Sequence, residues 1–404
     1  MMEPTVRFPE FKGSWNNYKI EDMFDRVGTP VDLDDTQTYR EIGIRSHGKG
    51  IFHKEETTAI EIGNKRVFWV EPDCFVVNIV FAWERAVAKT TEKENGMIAS
   101  HRFPMYKPKK DVVDLDYITE YFITKRGQNV LILASPGGAG RNKTLGQKEF
   151  AKSVVKLPSL PEQQKIADFL STIDTVIKKQ KETVSAWEER KKGVMQKLFS
   201  QEVRFKADDG SDFPEWEEKK LGECGRFYTG VGFSEKYQGH KGLDVDVYKV
   251  SDMNIIGNEK YMTLSNNTVD DSIVEQMKTK VITSKCLVFA KVGAAIYGER
   301  KRITTKPFLI DNNMMAFEPC SCLNIEYLHS WSCSVKFSQY AQVGALPSYN
   351  SSDIGIIKIH IPCPEEQQKI ADCLSSLDEV IEKQKATLAA WEELKKGLLQ
   401  QMFV

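Results

Sequence analysis

The sequence predicts an α+β protein in which two mixed α/β domains alternate with two long helices that pair as an antiparallel coiled coil. Three observations predict this fold: a segment that occurs twice, an apolar seam of helical period in both copies, and short β-branched and aromatic runs between them. The 404 residues are enough for two or three domains, and the 41% hydrophobic content is enough to build their cores.

The duplicated segments are residues 157–199 and 361–403, at a constant offset of 204 positions, since 361 minus 157 is 204. About 26 of the 43 aligned positions are identical, which chance does not produce over this length. Pro158 and Pro161 in the first copy, and Pro362 and Pro364 in the second, keep the preceding backbone extended. Strong helix formers (Gln, Lys, Ala, Glu and Leu) then predominate. Each copy is therefore predicted to be one long helix with a sharp start.

An apolar seam with a period of about 3.5 residues runs through both copies, which is typical of coiled-coil packing. The predicted pairing positions are Ile166, Leu170, Ile173, Ile177, Gln180, Val184, Trp187 and Leu198 in the first copy, and Ile370, Leu374, Leu377, Ile381, Gln384, Leu388, Trp391 and Met402 in the second. The two glutamines interrupt the seam and can specify its register. The alternative is that each amphipathic helix lies on its own domain. The matching seams favour pairing of the two copies with each other.

The segments between the helices are predicted to be mixed α/β domains. Strands are predicted at 66–70, 74–80, 130–134, 247–250, 286–289 and 354–361, and helices at 116–123 and 325–340. We place domain boundaries to give 1–156 and 203–360 to the two globular domains, and 157–202 and 361–404 to the two repeat helices. A short motif precedes each domain, because Val-Arg-Phe at positions 6–8 recurs at 203–205. The chain is thus predicted to be two half-repeats with a pseudo-two-fold axis.

The two globular domains share little sequence, in contrast to the helices. Duplicated helices that keep their surface are most simply explained by two copies of one partner. Diverged domains on the same scaffold are most simply explained by two different ligands. The sequence therefore predicts an adaptor that does in one polypeptide what a homodimer does in two.

The helix motif resembles that of a known family. The run Pro-x-x-x-Glu-Gln-x-x-Ile-Ala-x-x-Leu occurs at 158–170 and again at 362–374, and each copy continues with Trp-Glu-Glu and Lys-Lys-Gly. This pattern resembles the specificity subunit of type I restriction–modification systems. The resemblance covers the whole architecture and is specific in the helices, but it is unspecific inside the two domains. The second copy departs slightly from the first, with Pro364-Glu365 in place of Leu160-Pro161.

The resemblance implies two target recognition domains, each reading one half of a split, asymmetric sequence in double-stranded DNA. It implies a non-catalytic subunit that assembles with two methylation subunits and two motor-nuclease restriction subunits. S-adenosylmethionine, ATP and Mg²⁺ are then expected on those partners and not on this chain. A helix of about 38 residues is about 57 Å long, or roughly 17 base pairs of duplex, which suits two spaced half-sites. The alternative function is a protein-interaction scaffold, built on the same helices, that does not bind DNA.

Catalytic motifs are missing from the sequence. Adenine methyltransferases need a Pro-Pro dipeptide in the motif that holds the flipped base, and the chain contains none. The run 137–144 superficially resembles a phosphate-binding loop, but Asn142 stands where the motif requires glycine before Lys143. The eight cysteines form no C-x-x-C pair and the six histidines are dispersed, so we expect reduced thiols and no metal site.

The net charge of -1 excludes a uniformly basic coat, so any DNA-binding surface must be a local patch. The candidates in the first domain are His101, Arg102, Lys107, Lys109, Lys110, Arg141, Asn142 and Lys143. Those in the second are Lys278, Lys280, Lys285, Lys291, Arg300, Lys301, Arg302, Lys306, Asn312, Asn313, Ser348, Tyr349 and Asn350. These residue types bind phosphates and base edges. The alternative for each cluster is ordinary solvated surface.

No apolar leader opens the sequence, and no apolar run reaches the roughly 18 residues of a membrane span. We therefore expect a cytoplasmic protein without a membrane partner.

Overall fold

The computed structural model describes residues 4–137, 143–342, 344 and 346–403. The chain forms two compact units of similar size. Unit 1 consists of Met1–Glu182 with Ala386–Val404, and unit 2 consists of Thr183–Lys385. Each long helix therefore contributes one part to each unit. The predicted domain boundaries, which give each helix a segment of its own, divide the chain differently and stay a prediction.

Unit 1 contains eleven described strands and the first six helices. The strands are β1 (Asn16–Lys19), β2 (Phe24–Val27), β3 (Thr29–Pro30), β4 (Thr38–Ile44), β5 (Ile51–Thr58), β6 (Val67–Trp69), β7 (Phe75–Val77), β8 (Val87–Lys89), β9 (Ile98–Ser100), β10 (Met105–Pro108) and β11 (Val154–Leu157). The helices are α1 (Ile20–Met23), α2 (Ala59–Ile62), α3 (Leu115–Ile123), α4 (Lys125–Leu133), α5 (Gln147–Lys152) and α6 (Leu160–Phe199), the last of which continues into unit 2.

Unit 2 contains the remaining described strands and helices. The strands are β12 (Glu217–Lys220), β13 (Gly225–Thr229), β14 (Val245–Tyr248), β15 (Tyr261–Met262), β16 (Thr268–Val269), β17 (Leu287–Ala290), β18 (Lys301–Thr304), β19 (Phe308–Ile310), β20 (Met314–Pro319) and β21 (Lys358–Ile361). The helices are α7 (Asp271–Gln276), α8 (Ile325–Ser334), α9 (Ser351–Gly355) and α10 (Pro364–Met402), the last of which continues into unit 1.

Each unit is built on mixed sheets. Unit 1 has sheets of order β2-β10-β7-β8 and β3-β6-β9-β4-β5, and the two-stranded pair β1-β11. Unit 2 has sheets of order β13-β20-β17-β18-β15 and β16-β14-β19, and the equivalent pair β12-β21. The described strands pair mostly antiparallel, but β4 pairs parallel with β9 in unit 1, and β14 with β19 and β15 with β18 pair parallel in unit 2. The α+β class predicted from the sequence is confirmed.

Most predicted elements are present, and three differ. The helix predicted at 325–340 ends at Ser334, because Val335 is extended, and Phe337–Tyr340 forms a separate 3-10 helix. Residues 130–134 form the end of α4 and not a strand. Thr124 caps this helix through a hydrogen bond from the amide of Gly127 to its hydroxyl (3.2 Å), and Leu131 is buried one turn later. In the predicted strand 354–361, only Lys358–Ile361 is extended, because Asn350 caps the short helix Ser351–Gly355 before it. A short apolar run fits a strand and a helix equally well, so the capping residue before each of these two segments determines that it is helical.

The cysteine prediction also needs a correction. Cys320 and Cys322 are joined by a disulfide in the turn between β20 and α8, where their Cα atoms lie 5.3 Å apart. The other six cysteines are free thiols, and three of these are buried.

No helix among the described ranges combines the length and the apolar composition that crossing a bilayer requires.

Candidate nucleic-acid interface and paired helices

The two long helices run antiparallel in each unit. In unit 1, the Lys181 ammonium lies 2.7 Å from the Glu392 carboxylate, and the Lys395 ammonium lies 2.8 Å from that of Asp174. As the residue number rises along α6 from 174 to 181, that of its partner falls along α10 from 395 to 392, so the two helices point in opposite directions.

The same contacts recur inside unit 2. Lys385 lies 3.1 Å from Glu188, and Lys191 forms a hydrogen bond with Asp378. Each pair in unit 1 has its equivalent in unit 2 at an offset of 204 residues, because Lys181 corresponds to Lys385 (181 plus 204) and Glu392 corresponds to Glu188 (392 minus 204). Each ion pair is partly exposed and contributes little free energy alone. Their repetition at equivalent positions shows that the duplicated surface is used in the same way in both units.

All sixteen predicted pairing positions are buried or partly buried. Those near the helix ends do more than face the other helix. Ile166, Leu170 and Met402 belong to the core of unit 1 together with Phe122, and Leu198, Ile370 and Leu374 belong to the core of unit 2. The two interpretations of the seam are therefore both partly right. Each helix packs on its own domain at its start and beside its partner helix further along, and its last turns belong to the core of the other unit.

The Glu-Gln dipeptide of the helix motif joins each helix to its domain. In unit 1 the Gln163 side-chain carbonyl accepts the amide of Asp114 (3.0 Å), and its amide group donates to the carbonyls of Val112 and Pro158 (3.1 and 3.0 Å). Asp114 is the cap of α3. The side chain therefore fixes the helix start against the domain through three hydrogen bonds.

Unit 2 repeats this joint. The Gln367 carbonyl accepts the amide of Asn324 (2.7 Å), and its amide group donates to the carbonyls of Cys322 and Pro362 (3.0 and 2.9 Å). Asn324 is the cap of α8. The preceding glutamates are buried as well. Glu162 accepts two hydrogen bonds from Arg7 (2.7 and 2.8 Å), and Glu366 accepts two from Arg204 (3.2 and 2.9 Å).

In unit 1, the topology gathers basic residues at one edge of the sheet β3-β6-β9-β4-β5. The first residue of β6 is opposite the last residue of β9, so Arg66 and His101 are adjacent, and the His101 amide donates to the Arg66 carbonyl (2.9 Å). Lys65, Arg66, His101 and Arg102 are all exposed at this edge. We call this group the unit 1 edge. The sequence prediction found His101 and Arg102 but missed Lys65 and Arg66, which the short Lys-Arg pair before β6 could have signalled.

In unit 2, the corresponding edge lies where β17 ends and β18 and β20 begin. The Lys291 amide donates to the Asn313 carbonyl (2.8 Å), and the carbonyl of Lys291 accepts the amide of Tyr349 (3.2 Å). Val292 and Ser348 form a β-bridge beside them. The predicted residues that this arrangement brings together are Lys291, Arg300, Asn312, Asn313 and Ser348, which we call the unit 2 edge. A cation and two amides side by side suit contacts to phosphates and base edges.

Other predicted residues of unit 2 lie away from this edge. Lys278, Lys280, Lys285 and Lys306 are exposed, but they lie at the opposite end of β17 and β18. Strand β17 lies between Lys285 and Lys291, and the six residue steps that separate them correspond to about 20 Å of extended chain. The basic cluster at 278–306 is thus not one patch. Asn350 is exposed, with its side chain capping α9.

Lys301 and Tyr349 are removed from the predicted DNA surface by burial. Only 2% of Lys301 is exposed, and its ammonium pairs with Glu299, donates to the Val335 carbonyl (2.9 Å) and lies over the Phe337 ring. Alternation along β18 turns this side chain inward. The Tyr349 hydroxyl donates to the carbonyl of Ala290 inside the core.

Arg302 is a related correction. It is half-buried, and its guanidinium donates to the carbonyls of Asn258 and Lys301. Burial lowers the pKa of this guanidinium. Two of its five N–H donors are therefore engaged within the protein.

The remaining candidates of unit 1 fall into three groups. Lys107 and Lys109 donate to the carbonyls of Pro72 (2.7 Å) and Glu21 (3.2 Å), and exposed Lys110 follows them, at the end of β10 away from the unit 1 edge. Lys143 precedes Leu145, whose amide donates to the Ile79 carbonyl close to Arg102. Arg141 and Asn142 lie outside the described residues.

Within the described ranges, no group of three or more His, Cys, Asp or Glu side chains is arranged to hold a metal ion.

Comparison with known proteins gives the family. A family model described as the type I restriction modification DNA specificity domain matches the chain twice, at residues 13–185 and 214–390. The type I restriction enzyme MjaVIII specificity subunit of Methanocaldococcus jannaschii is 24% identical over 364 residues, which cover 84% of this chain and 80% of that protein. The MjaIX specificity subunit of the same organism is 24% identical over 213 residues, so the chain spans 48% of its length, and the match covers 51% of this chain.

Solved structures share the fold. A chain from a structure of type I R-M system assembly and conformational transition has a TM-score of 0.61 at 14% identity, covering 97% of this chain and 98% of that one. The S subunit of the type I restriction-modification system from M. genitalium has a TM-score of 0.56 at 14% identity, covering 100% and 99%. The HsdS subunit from Thermoanaerobacter tengcongensis has a TM-score of 0.50 at 15% identity, covering 97% of each chain.

The duplicated helix joints, the diverged sheet edges and the two matches of one family model lead to one conclusion. This chain belongs to the family of type I restriction–modification specificity subunits.

Proposed function

We propose that each unit reads one half of a split, asymmetric sequence in double-stranded DNA, and that the two long helices set the gap between the halves. The observation that carries this proposal is the contrast between identical helix contacts and unlike sheet edges. Unit 1 offers Lys65, Arg66, His101 and Arg102, whereas unit 2 offers Lys291 and the amides of Asn312 and Asn313. Two chemically different edges suit two different half-sites.

The helices have a second role in this proposal, which is to dock two methylation subunits. A groove of about 710 Å³ in unit 1 is lined on the helix side by Asp174, Ile177, Lys181, Glu392, Lys395, Lys396, Leu399, Gln400 and Phe403. At an offset of 204, all of these except Leu399 recur unchanged in unit 2. The domain side of the groove, which includes Arg85 and Lys125, does not recur. A helix surface kept twice suits two copies of one partner.

The subunit itself is proposed to be non-catalytic and to act in the cytoplasm. Two restriction subunits would join the assembly for DNA cleavage. We assign S-adenosylmethionine to the methylation subunits, and ATP and Mg²⁺ to the motor-nuclease subunits. The missing Pro-Pro motif supports the assignment of S-adenosylmethionine to a partner.

Replacing Lys291 by glutamate is expected to weaken DNA binding by about tenfold at low salt, because it reverses a charge facing the phosphates. Lys285→Glu, at the other end of β17, is the matched control and is expected to stay within about twofold of the unchanged protein. The measurement is fluorescence anisotropy of a labelled pool of random 40-base-pair duplexes, titrated with the complex that the full-length chain forms with its partner subunits.

Equal binding by both variants and the unchanged complex would show that the unit 2 edge is not the DNA surface. If the complex assembled normally but the unchanged form bound no DNA, the protein-interaction scaffold would be the better account.

A further inference from the structure

The turn that joins β4 and β5 lies beside the unit 1 edge. It contains residues 45–50, with the sequence Arg-Ser-His-Gly-Lys-Gly. Because β4 and β9 are parallel, their carboxyl ends lie at the same edge of the sheet. The turn after β4 and the turn containing His101 and Arg102 therefore share one edge. None of the residues in this turn was among the candidates predicted from the sequence.

The turn is held rigidly. The amides of His47 and Gly48 donate to the carbonyls of Glu84 (2.7 Å) and Arg85 (2.9 Å), and the Arg45 amide donates to the Gly50 carbonyl (3.0 Å). The Ser46 hydroxyl donates to the Glu84 carboxylate (2.8 Å). These contacts fix the backbone before any ligand binds, so little conformational entropy is lost on binding.

The backbone of the turn is also unusual. His47 has a φ of 63°, a backbone conformation that residues other than glycine rarely adopt. Gly48 has a φ of 66°, and a Cβ atom there would lie 2.6 Å from Cγ1 of Ile123. Strained backbone that its surroundings hold in place is concentrated at functional sites. Here the strain turns the side chains of His47 and Lys49 outward, where both are exposed.

The charges of the turn are available for a ligand. Arg45 lies over the Phe52 ring and donates to the Ile51 carbonyl (3.2 Å). Within the described part of the chain, no ion pair or side-chain hydrogen bond engages Lys49 or His47. In unit 2 the strand that pairs antiparallel with β14 is β16, and residues 249–267 join these two strands in place of a short turn. The turn is therefore a feature of one unit.

We propose that this turn clamps a DNA phosphate next to the half-site that unit 1 reads, with Lys49 as its charge and His47 as a hydrogen-bond donor. The inference rests on the proposed function. A lysine ammonium is a compact point charge that suits a phosphate better than the edge of one base. The clamp would fix the position of unit 1 on the duplex, and the unit 1 edge would supply the base contacts.

The test is the salt dependence of DNA binding by the complex of the full-length chain with its partner subunits, using a labelled pool of random 40-base-pair duplexes. Lys49→Ala is expected to weaken binding about three- to tenfold and to reduce the slope of log affinity against log salt by about one. Lys49→Arg keeps the charge and should restore the slope. Lys93→Ala is the matched control, because Lys93 is an exposed lysine of unit 1 that precedes β9 at the opposite edge of the sheet.

Gly48→Ala provides an uncharged test of the same turn. It keeps every charge but displaces the strained backbone, so it should also reduce the slope. The inference is overturned if the unchanged complex binds DNA and Lys49→Ala gives the same affinity and slope. It is also overturned if Lys49→Ala changes the methylated bases without changing the slope, which would make Lys49 a base reader. If the unchanged complex binds no DNA, the proposed function fails and the inference fails with it.

Discussion

Replacing Arg204 by methionine is expected to lower the free energy of unfolding of unit 2 by about 3–5 kcal/mol, because it leaves a buried carboxylate without its cation. The Glu366 side chain is fully buried. It accepts hydrogen bonds from Arg204 and from the indole of Trp216 (2.9 Å). The hydrogen bond to Glu366 raises the pKa of the Arg204 guanidinium, so Arg204 stays charged at neutral pH.

Hydrogen exchange followed by mass spectrometry is the appropriate measurement, because a single unfolding transition is not expected of a chain with two units. Peptides of unit 2 should lose protection in the Arg204→Met variant, while those of unit 1 between 20 and 150 keep it. Lys206→Met is the control, since Lys206 pairs only with exposed Asp212. Unchanged protection in Arg204→Met would contradict the role that we assign to this joint. Adding Glu366→Leu to Arg204→Met should recover part of the loss.

Phe403→Ala is expected to cost unit 1 about 3–5 kcal/mol, although the residue is the last but one in the chain. Its side chain is 2% exposed and packs against the rings of Tyr117 and Tyr121, with centroids 5.0 and 6.3 Å away. Removing the Phe403 ring loses the free energy of burying that ring and also its contacts with the surrounding core. The prediction is checked by hydrogen exchange in α3 and in the C-terminal part of α10.

The repeat supplies a matched control for this variant. Phe199 occupies the equivalent position in unit 2, at an offset of 204, and packs against Tyr327 with a centroid distance of 5.7 Å. Phe199 is only half-buried, so Phe199→Ala should cost unit 2 clearly less. Equal effects of the two substitutions would mean that exposure does not decide the energetics of these sites.

The structure explains why the helix motif is duplicated while the domains are not. Gln163 and Gln367 each form hydrogen bonds with the residue that caps a helix of the domain and with the proline before the long helix. Glu162 and Glu366 each pair with the arginine of the Val-Arg-Phe motif. These contacts need the same side chains in both units. The sheet edges have no such constraint, because their residues face solvent.

Periodicity and repetition made the fold predictable from the sequence. Both long helices, their seams and the two-part organisation follow from the 204-residue offset. Residues 130–134 were wrongly predicted as a strand, because a short apolar run fits a strand and a buried helix equally well. The segment is helical because the Thr124 hydroxyl accepts a hydrogen bond from the Gly127 amide and so caps the start of the helix.

The candidate DNA surface was less predictable. Lys301 was grouped with Arg300 because the two are neighbours in sequence, but Lys301, the first residue of β18, is buried, whereas Arg300 before the strand is exposed. Lys65 and Arg66 were missed because their proximity to His101 depends on the pairing of β6 with β9, which the sequence does not specify. Charge density along the chain marks basic pairs such as Lys65 and Arg66, but it does not show which of them become neighbours at a sheet edge.

The most direct test of the central claim is a genome-wide map of methylated adenines in cells with and without this gene. Deletion is expected to remove methylation at a split motif, with two unlike halves and a fixed gap. Exchanging residues 216–360 for those of another family member should change only one half of the methylated motif. If deletion changes no methylated motif, or removes only a continuous one, the two units are not paired readers held apart by the helices.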